Sequence, residues 1–252
     1  MKRIYILIGL MILAIGLKAQ TIQNQEFMKA NFYYNESKYD TALVMYENIL
    51  KDGYVSAPLL YNIGNTYFKM RNYPMAILNY EKALKLDPTD DDIRQNLAIA
   101  NALITDKIEP LPVFFLTKWW RNIGNMFTAN GWATATLVLL GIFLLFLFLY
   151  LTARTSGGKK ATFFLGIIAV LLLICSGIIA LQKYNYQNDR SEAIIMKPTI
   201  TVKSSPSSTG VDLFVLHEGS KVIILDNDGD WDKIKIADGS IGWLPSSASV
   251  KY

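Results

Sequence analysis

Residues 60–88 read LYNIGNTYFKMRNYPMAILNYEKALKLDP, and the fold of the first part of the chain turns on them. Leu60, Ile63, Gly64 and Tyr67 stand three and four apart, the spacing of one helix face. Pro74 opens a second helix, where its missing N–H does no harm. Ala76, Tyr80 and Ala83 line that helix, and Pro88 follows its end. The pattern also occurs 34 residues earlier: Ala30 recurs as Gly64, Tyr33 as Tyr67, Tyr39 as Tyr73, Ala42 as Ala76 and Tyr46 as Tyr80. Small falls on small and aromatic on aromatic. A period of that length belongs to stacked helix-turn-helix units, which offer a concave surface to a partner rather than a catalytic pocket.

The run L-x-x-I-G-x-x-Y…A-x-x-x-Y-x-x-A…P resembles the tetratricopeptide repeat. An all-α solenoid of two repeats and a capping helix is expected over residues 22–106. In the first unit Glu26, Lys29 and Ile49 depart from the usual residue types. The cap is a third first-helix without its partner, with Asp90, Asp91 and Asp92 at its start, where the helix dipole favours negative charge. The resemblance implies a groove lined by Phe27, Asn31 and Tyr34 in the first unit and by Tyr61, Asn65 and Phe68 in the second. Asn31 and Asn65 match an asparagine that binds peptide backbone in the family. Phe27 and Tyr61 replace the lysine that holds a ligand carboxylate in some members, so an apolar peptide or helix is the expected ligand. Tyr33, Tyr46, Tyr67 and Tyr80 read as core between repeats; Tyr34 and Phe68 fit core or groove equally.

Two runs lack any charged residue, Trp132–Leu151 and Ala161–Leu181. Neither shows the polar stripe of a buried soluble helix, and each has the length of a bilayer crossing. The expected plan is a transmembrane hairpin of helices over 132–152 and 161–181, joined by a cytoplasmic loop over 153–160. The net charge of +4 could suggest nucleic acid, but its location decides otherwise. Residues 21–110 hold 9 basic and 12 acidic residues, and residues 193–252 hold 6 and 7. The basic excess flanks the apolar runs, a topology pattern rather than a nucleic-acid footprint.

The start, MKRIYILIGLMILAIGLKAQ, has a basic end, an apolar stretch Ile4–Leu17 and a small residue at Ala19. It reads as a signal peptide over 1–19, with an uncleaved anchor as the alternative. A signal sequence exports the chain behind it, so both ends of the chain are expected on the periplasmic side of a bacterial inner membrane. Arg154, Lys159 and Lys160 in the short loop agree. Lys118, Arg121, Lys183 and Arg190 flank the proposed outer side and run against it; the signal sequence decides, because it acts first. Trp119 and Trp120, between Lys118 and Arg121, suit a helix lying in the membrane interface over 111–131. A soluble linker helix is the other reading. Cys175, the only cysteine, sits in the second apolar run and reads as a small hydrophobe.

After a polar linker, Gln182–Glu192, come short β-runs: Ile200–Val202, Leu213–Leu216, Lys221–Leu225, Trp231–Ile236 and Gly242–Leu244, each bounded by turn residues. Five short strands suggest a small all-β barrel over 193–252. The phrases G-D-W-D-K-I and D-G-S-I-G-W-L-P resemble a bacterial SH3-like domain. That resemblance implies a groove with Trp231 as a wall and Trp243 and Pro245 beside it; the alternative puts one or both tryptophans in the core, Trp243 first.

Catalysis and metal binding find little support. His217 is the only histidine, so it lacks partners for a His-based zinc site or triad and reads as a turn-flanking surface residue. Asp226, Asp228, Asp230 and Asp232 alternate, but Trp231 and Ala237 occupy the positions where a calcium loop needs Gly and Glu. No cofactor, metal or nucleic acid is expected. The order of signal, repeats, W-W-R, two spans and SH3-like domain resembles the BatE-type proteins of aerotolerance operons. The resemblance implies a non-enzymatic scaffold beside von Willebrand A domain membrane proteins and a MoxR-type ATPase in envelope stress. The competing expectation is a peptidoglycan-binding module acting through the SH3-like domain.

Overall fold

The structure, a computed structural model, describes residues 25–252. The signal sequence expected over residues 1–19 lies outside them. Five helices come first: α1 (25–35), α2 (Tyr39–Lys51), α3 (Ala57–Lys69), α4 (Tyr73–Leu86) and α5 (Asp91–Leu103). Side chains cap three of their starts. Ser56 accepts from the Leu59 N–H, Asn72 from the Met75 N–H, and Asp90 from the N–H groups of Asp92 and Ile93. Each supplies an acceptor to donors that helix geometry leaves unpaired, typically about 1 kcal/mol apiece.

The 34-residue period extends to the backbone. Ser37 (φ 58°) and Arg71 (φ 62°) both adopt the left-handed conformation where the first helix of each unit ends. Around them, Ser37 N–H donates to Tyr34 and Lys38 N–H to Tyr33, while Arg71 N–H donates to Phe68 and Asn72 N–H to Tyr67. These bonds satisfy carbonyls left open at the helix end and turn the chain back. Between α3 and α4, Gly64 permits close contact: a Cβ there would lie 2.6 Å from ring carbons of Tyr80. Ala30 and Tyr46 are fully buried at the equivalent positions of the first unit.

Helix α6 (Phe115–Gly124) is shorter than the expected 111–131, because Thr128 caps the next helix by accepting from the Gly131 N–H. Helices α7 (Ala129–Thr152) and α8 (Ser156–Asn188) pack as an antiparallel pair. Both are long and apolar enough to cross a membrane. The 24 residues of α7 span about 36 Å, more than the ~30 Å of a hydrocarbon core. Where they meet, Thr136 and Ser176 hydroxyls lie 3.0 Å apart. The polar linker expected at 182–192 does not form a separate coil. Helix α8 continues through Gln182–Asn188, with Gln187 Nε2 donating to the Lys85 carbonyl at the end of α4.

The remainder is one antiparallel sheet of seven strands: β1 (Glu192–Ile195), β2 (Thr199–Lys203), β3 (Asp212–His217), β4 (Lys221–Asp228), β5 (Trp231–Lys235), β6 (Ile241–Pro245) and β7 (Ser249–Lys251). The hydrogen-bonded order is β3-β2-β6-β5-β4-β1-β7, and no ladder joins β3 to β7. Five strands and a closed barrel were expected; seven strands in an open order are found. The two additional strands are short, and β1 does not alternate. Ala193 and Ile195 enter the sheet core, while Ile194 on the opposite face enters the core of the second repeat.

That strand brings the sheet and the helical stack together. Lys85 of α4 is buried and donates to the carbonyls of Asp189 (2.8 Å) and Tyr252 (3.0 Å), with Glu192 at 3.3 Å. Lys221 pairs with both Glu81 (2.9 Å) and Glu192 (3.0 Å). Burial alone would lower the Lys221 ammonium pKa and raise that of the Glu192 carboxyl. The ion pairs outweigh it in both, so Lys221 is raised and Glu192 lowered. A second clasp lies on the chain leaving α5. Asp106 accepts from the His217 backbone N–H (2.7 Å) and the Ser220 hydroxyl (2.5 Å), and its other oxygen lies 2.7 Å from His217 Nδ1. His217 flanks the turn at 218–219 and is part-exposed, as expected, and it is also a clasp residue. Burial opposes ionisation of Asp106, but the bonds from Ser220 and His217 hold its carboxyl below the usual range.

Candidate functional site

Four of the six expected groove residues, Tyr34, Tyr61, Asn65 and Phe68, line a single cavity of about 290 Å³ between the first and second units and α5. Lys69, Tyr80, Asn96 and Ile99 complete its wall. Phe27 and Asn31 are not part of it. The Phe27 ring packs 6.0 Å from Tyr46, and Asn31 works inside the stack.

The asparagines are anchored by a network that repeats with the fold. Asn31 Oδ1 accepts from the Tyr46 hydroxyl (2.6 Å) and from Asn62 Nδ2 (2.9 Å). Thirty-four residues on, Asn65 Oδ1 accepts from the Tyr80 hydroxyl (2.7 Å) and from Asn96 Nδ2 (2.9 Å). Asn96 Nδ2 also donates to the Tyr61 hydroxyl (2.9 Å). Burial, reinforced by neighbouring phenols, pushes Tyr46 up to about 12 and raises Tyr80 as well, so both remain neutral donors. With both oxygens of the motif engaged, the groove-side donor is the Asn65 Nδ2, which makes no hydrogen bond among the described residues. A peptide carbonyl fits such a donor, and Phe68, Tyr34 and Ile99 supply apolar wall. Asn62 and Asn96 escaped the sequence reading, although they obey the same period. Asparagine carries no hydrophobic signal, so its recurrence counts only once its partner is known.

On the sheet, Trp231, Trp243 and Pro245 share one face. Trp231 pairs with Pro245 across β5 and β6, and Lys233 with Trp243. The alternate residues Asp232, Ile234, Gly242 and Leu244 point into the core. Both tryptophans are half-buried, so neither is a core residue. The Lys233 ammonium sits 5.8 Å from the Trp243 ring centroid. Asp232 turns inward and pairs with Lys251 (2.9 Å), whereas Asp226, Asp228 and Asp230 stay exposed; the four carboxylates do not converge. Among the described residues there is no cluster of three or more His, Cys, Asp or Glu side chains suited to a metal ion.

The third expected site is α6. Trp119 is exposed, as are Phe114, Phe115 and Leu116. Trp120 Nε1 donates to Gln182 Oε1 (3.1 Å), which fixes α6 against the top of α8. Arg121 is exposed on the same helix.

Residues 57–90 match the tetratricopeptide repeat family model, a stretch that covers α3, α4 and the turn leading into α5. No curated protein matches the chain. The chain thus contains a tetratricopeptide repeat, a module that typically mediates protein–protein interaction without catalysis, two helices long enough to span a membrane, and an antiparallel sheet domain.

Proposed function

We propose that the protein is a non-catalytic membrane scaffold whose helical stack binds a segment of a partner protein. The observation that carries this reading is the cavity between the repeats, where Tyr34, Phe68 and Ile99 surround the uncommitted Nδ2 of Asn65. In this reading α7 and α8 cross the bacterial inner membrane, residues 153–160 face the cytoplasm, and both the stack and the sheet face the periplasm. The resemblance to BatE-type proteins names the setting: an aerotolerance complex with von Willebrand A domain membrane proteins and a MoxR-type ATPase. The apolar, aromatic wall favours an extended or helical apolar segment as the ligand.

Ile99 is half-exposed at the cavity rim and makes a clean probe, because Asn65 cannot be removed without stranding the Tyr80 hydroxyl. Ile99→Glu is expected to abolish partner crosslinking from intact membranes while leaving the melting temperature within about 2 °C of wild type. Undiminished crosslinking would remove the cavity from the account.

A second reading rests on the shared face of Trp231, Trp243 and Pro245, which offers stacking surface beside Lys233. There the sheet domain, in an SH3-like role, binds peptidoglycan and the repeats act as a spacer. Isolated sacculi would then retain the full-length protein, and Trp231→Ala would release it. If wild type washes off, the wall-binding role is excluded.

A further inference from the structure

A cavity of about 590 Å³ lies where four parts meet: α4, α6, the upper end of α8 and the sheet. Its volume falls in the range of small-ligand sites. Its charges divide into two groups. At the end next to the stack and sheet, Glu81 and Glu192 are already engaged by Lys85 and Lys221. At the other end stand Arg121 and Lys183, and neither has an ion-pair partner among the described residues. With two carboxylates against four cations, the lining carries a net charge of +2, located at the α6–α8 end.

That end is held in place. Trp120 is bonded to Gln182, Lys183 donates to Asn125 Oδ1, and Trp132 Nε1 donates to the Gly124 carbonyl (3.0 Å). The height of the site is set by the sequence. The charge-free run of α8 ends at Leu181, so Lys183 stands at the first polar turn, and Ile179, also in the lining, is one turn inside the apolar run. On α6, Trp120 is bonded to Gln182 at that level, and Trp119 beside it is exposed.

We propose that this cavity binds the phosphate group of an anionic phospholipid, with Arg121 and Lys183 as its ligands and Trp120 as a wall. The proposal rests on the membrane reading above, since the lipid enters from the leaflet past Ile179. Arg121 supplies a planar donor set that matches phosphate oxygens, and Lys183 has ammonium protons left after its bond to Asn125. Neither cation has a carboxylate partner among the described residues, and a lipid headgroup is the anion available at that height.

The test uses the full-length protein in nanodiscs of phosphatidylcholine, titrated with brominated phosphatidylglycerol and read by quenching of tryptophan fluorescence. Co-flotation with phosphatidylcholine vesicles reports the membrane reading separately; a chain that fails to float defeats that reading before this one is tried. Wild type is expected to bind phosphatidylglycerol saturably. Arg121→Gln with Lys183→Gln is expected to weaken binding about 10- to 30-fold. Lys118→Gln with Arg190→Gln removes the same charge outside the cavity on the same side and is expected to leave it within about twofold. The melting temperature of each variant separates loss of site from loss of fold. Equal weakening in both pairs would reduce the effect to surface charge and overturn the proposal. Displacement of the lipid by millimolar inorganic phosphate, with no preference for phosphatidylglycerol over phosphatidylcholine, would assign the site to a soluble anion and also overturn it.

Discussion

The joints inside the helical stack and the joint between stack and sheet are built from different chemistry. Within the stack, the recurring connectors are neutral amides and phenols: Asn31 with Tyr46 and Asn62, then Asn65 with Tyr80 and Asn96, at one constant offset, with one carboxylate, Glu47, accepting from the Tyr67 hydroxyl beside them. Between stack and sheet the connectors are charged: Lys85, Glu192, Lys221, Glu81 and Asp106. The first kind repeats because each unit presents the same surface to the next. The second joins two unlike surfaces once and has no period. Neutral bonds add a modest net stability each, whereas a buried charge must be matched by a partner or it becomes a liability.

The contrast predicts unequal effects of deletion. Lys85 is 5 % exposed and serves Glu192 and two backbone carbonyls. Lys85→Ala should cost about 2–3 kcal/mol at the joint, because two backbone acceptors lose a charged donor while Glu192 keeps only Lys221 and the Tyr186 hydroxyl. Tyr80→Phe removes one neutral donor while Asn96 still serves Asn65, and should cost about 1 kcal/mol. Thermal unfolding of detergent-solubilised protein measures both. Equal losses would erase the distinction between the two joints.

A smaller effect comes from pH, and its sign differs between the joints. Asp106 and Glu192 have carboxyl groups held below their ordinary values, so their stabilisation is present above about pH 4 and is lost as pH falls through the folded values. Tyr46 is raised to about 12, so its contribution is intact below its ordinary value of 10.0 and is lost as pH rises towards about 12. Acid should therefore release the sheet from the stack while the repeats stay folded, and alkali should loosen the repeats. Hydrogen exchange mapped to β1 and to α1–α2 would read each in turn. Simultaneous opening of both regions at acid pH would contradict this separation.

The same contrast explains what the sequence revealed. Ala30 with Gly64 and Tyr46 with Tyr80 recur because close helix contact restricts residue size, and size is readable in a sequence. The left-handed turns at Ser37 and Arg71 were invisible, since neither is glycine. The bonds that Lys85 makes at the second joint reach residues 104 and 167 positions away, and nothing local marks them. Strand β1 was missed because both its faces are buried, which removes the alternation by which strands are recognised. At the candidate groove, Tyr34, Tyr61, Asn65 and Phe68 were legible by period. Asn96 and Ile99 were not, because they depend on how α5 closes the end.

Helix α8 runs without a break for 33 residues, from Ser156 to Asn188, and its last turn is bonded to the end of α4. Its polar end also meets the sheet, where the Tyr186 hydroxyl donates to Glu192 of β1 (3.2 Å). If its lower part sits in a bilayer as proposed, such a rod would act as a lever. In the proposed membrane arrangement, a tilt of a few degrees at the bottom would re-aim the repeat surface at the top and reach a docked partner as a change of angle.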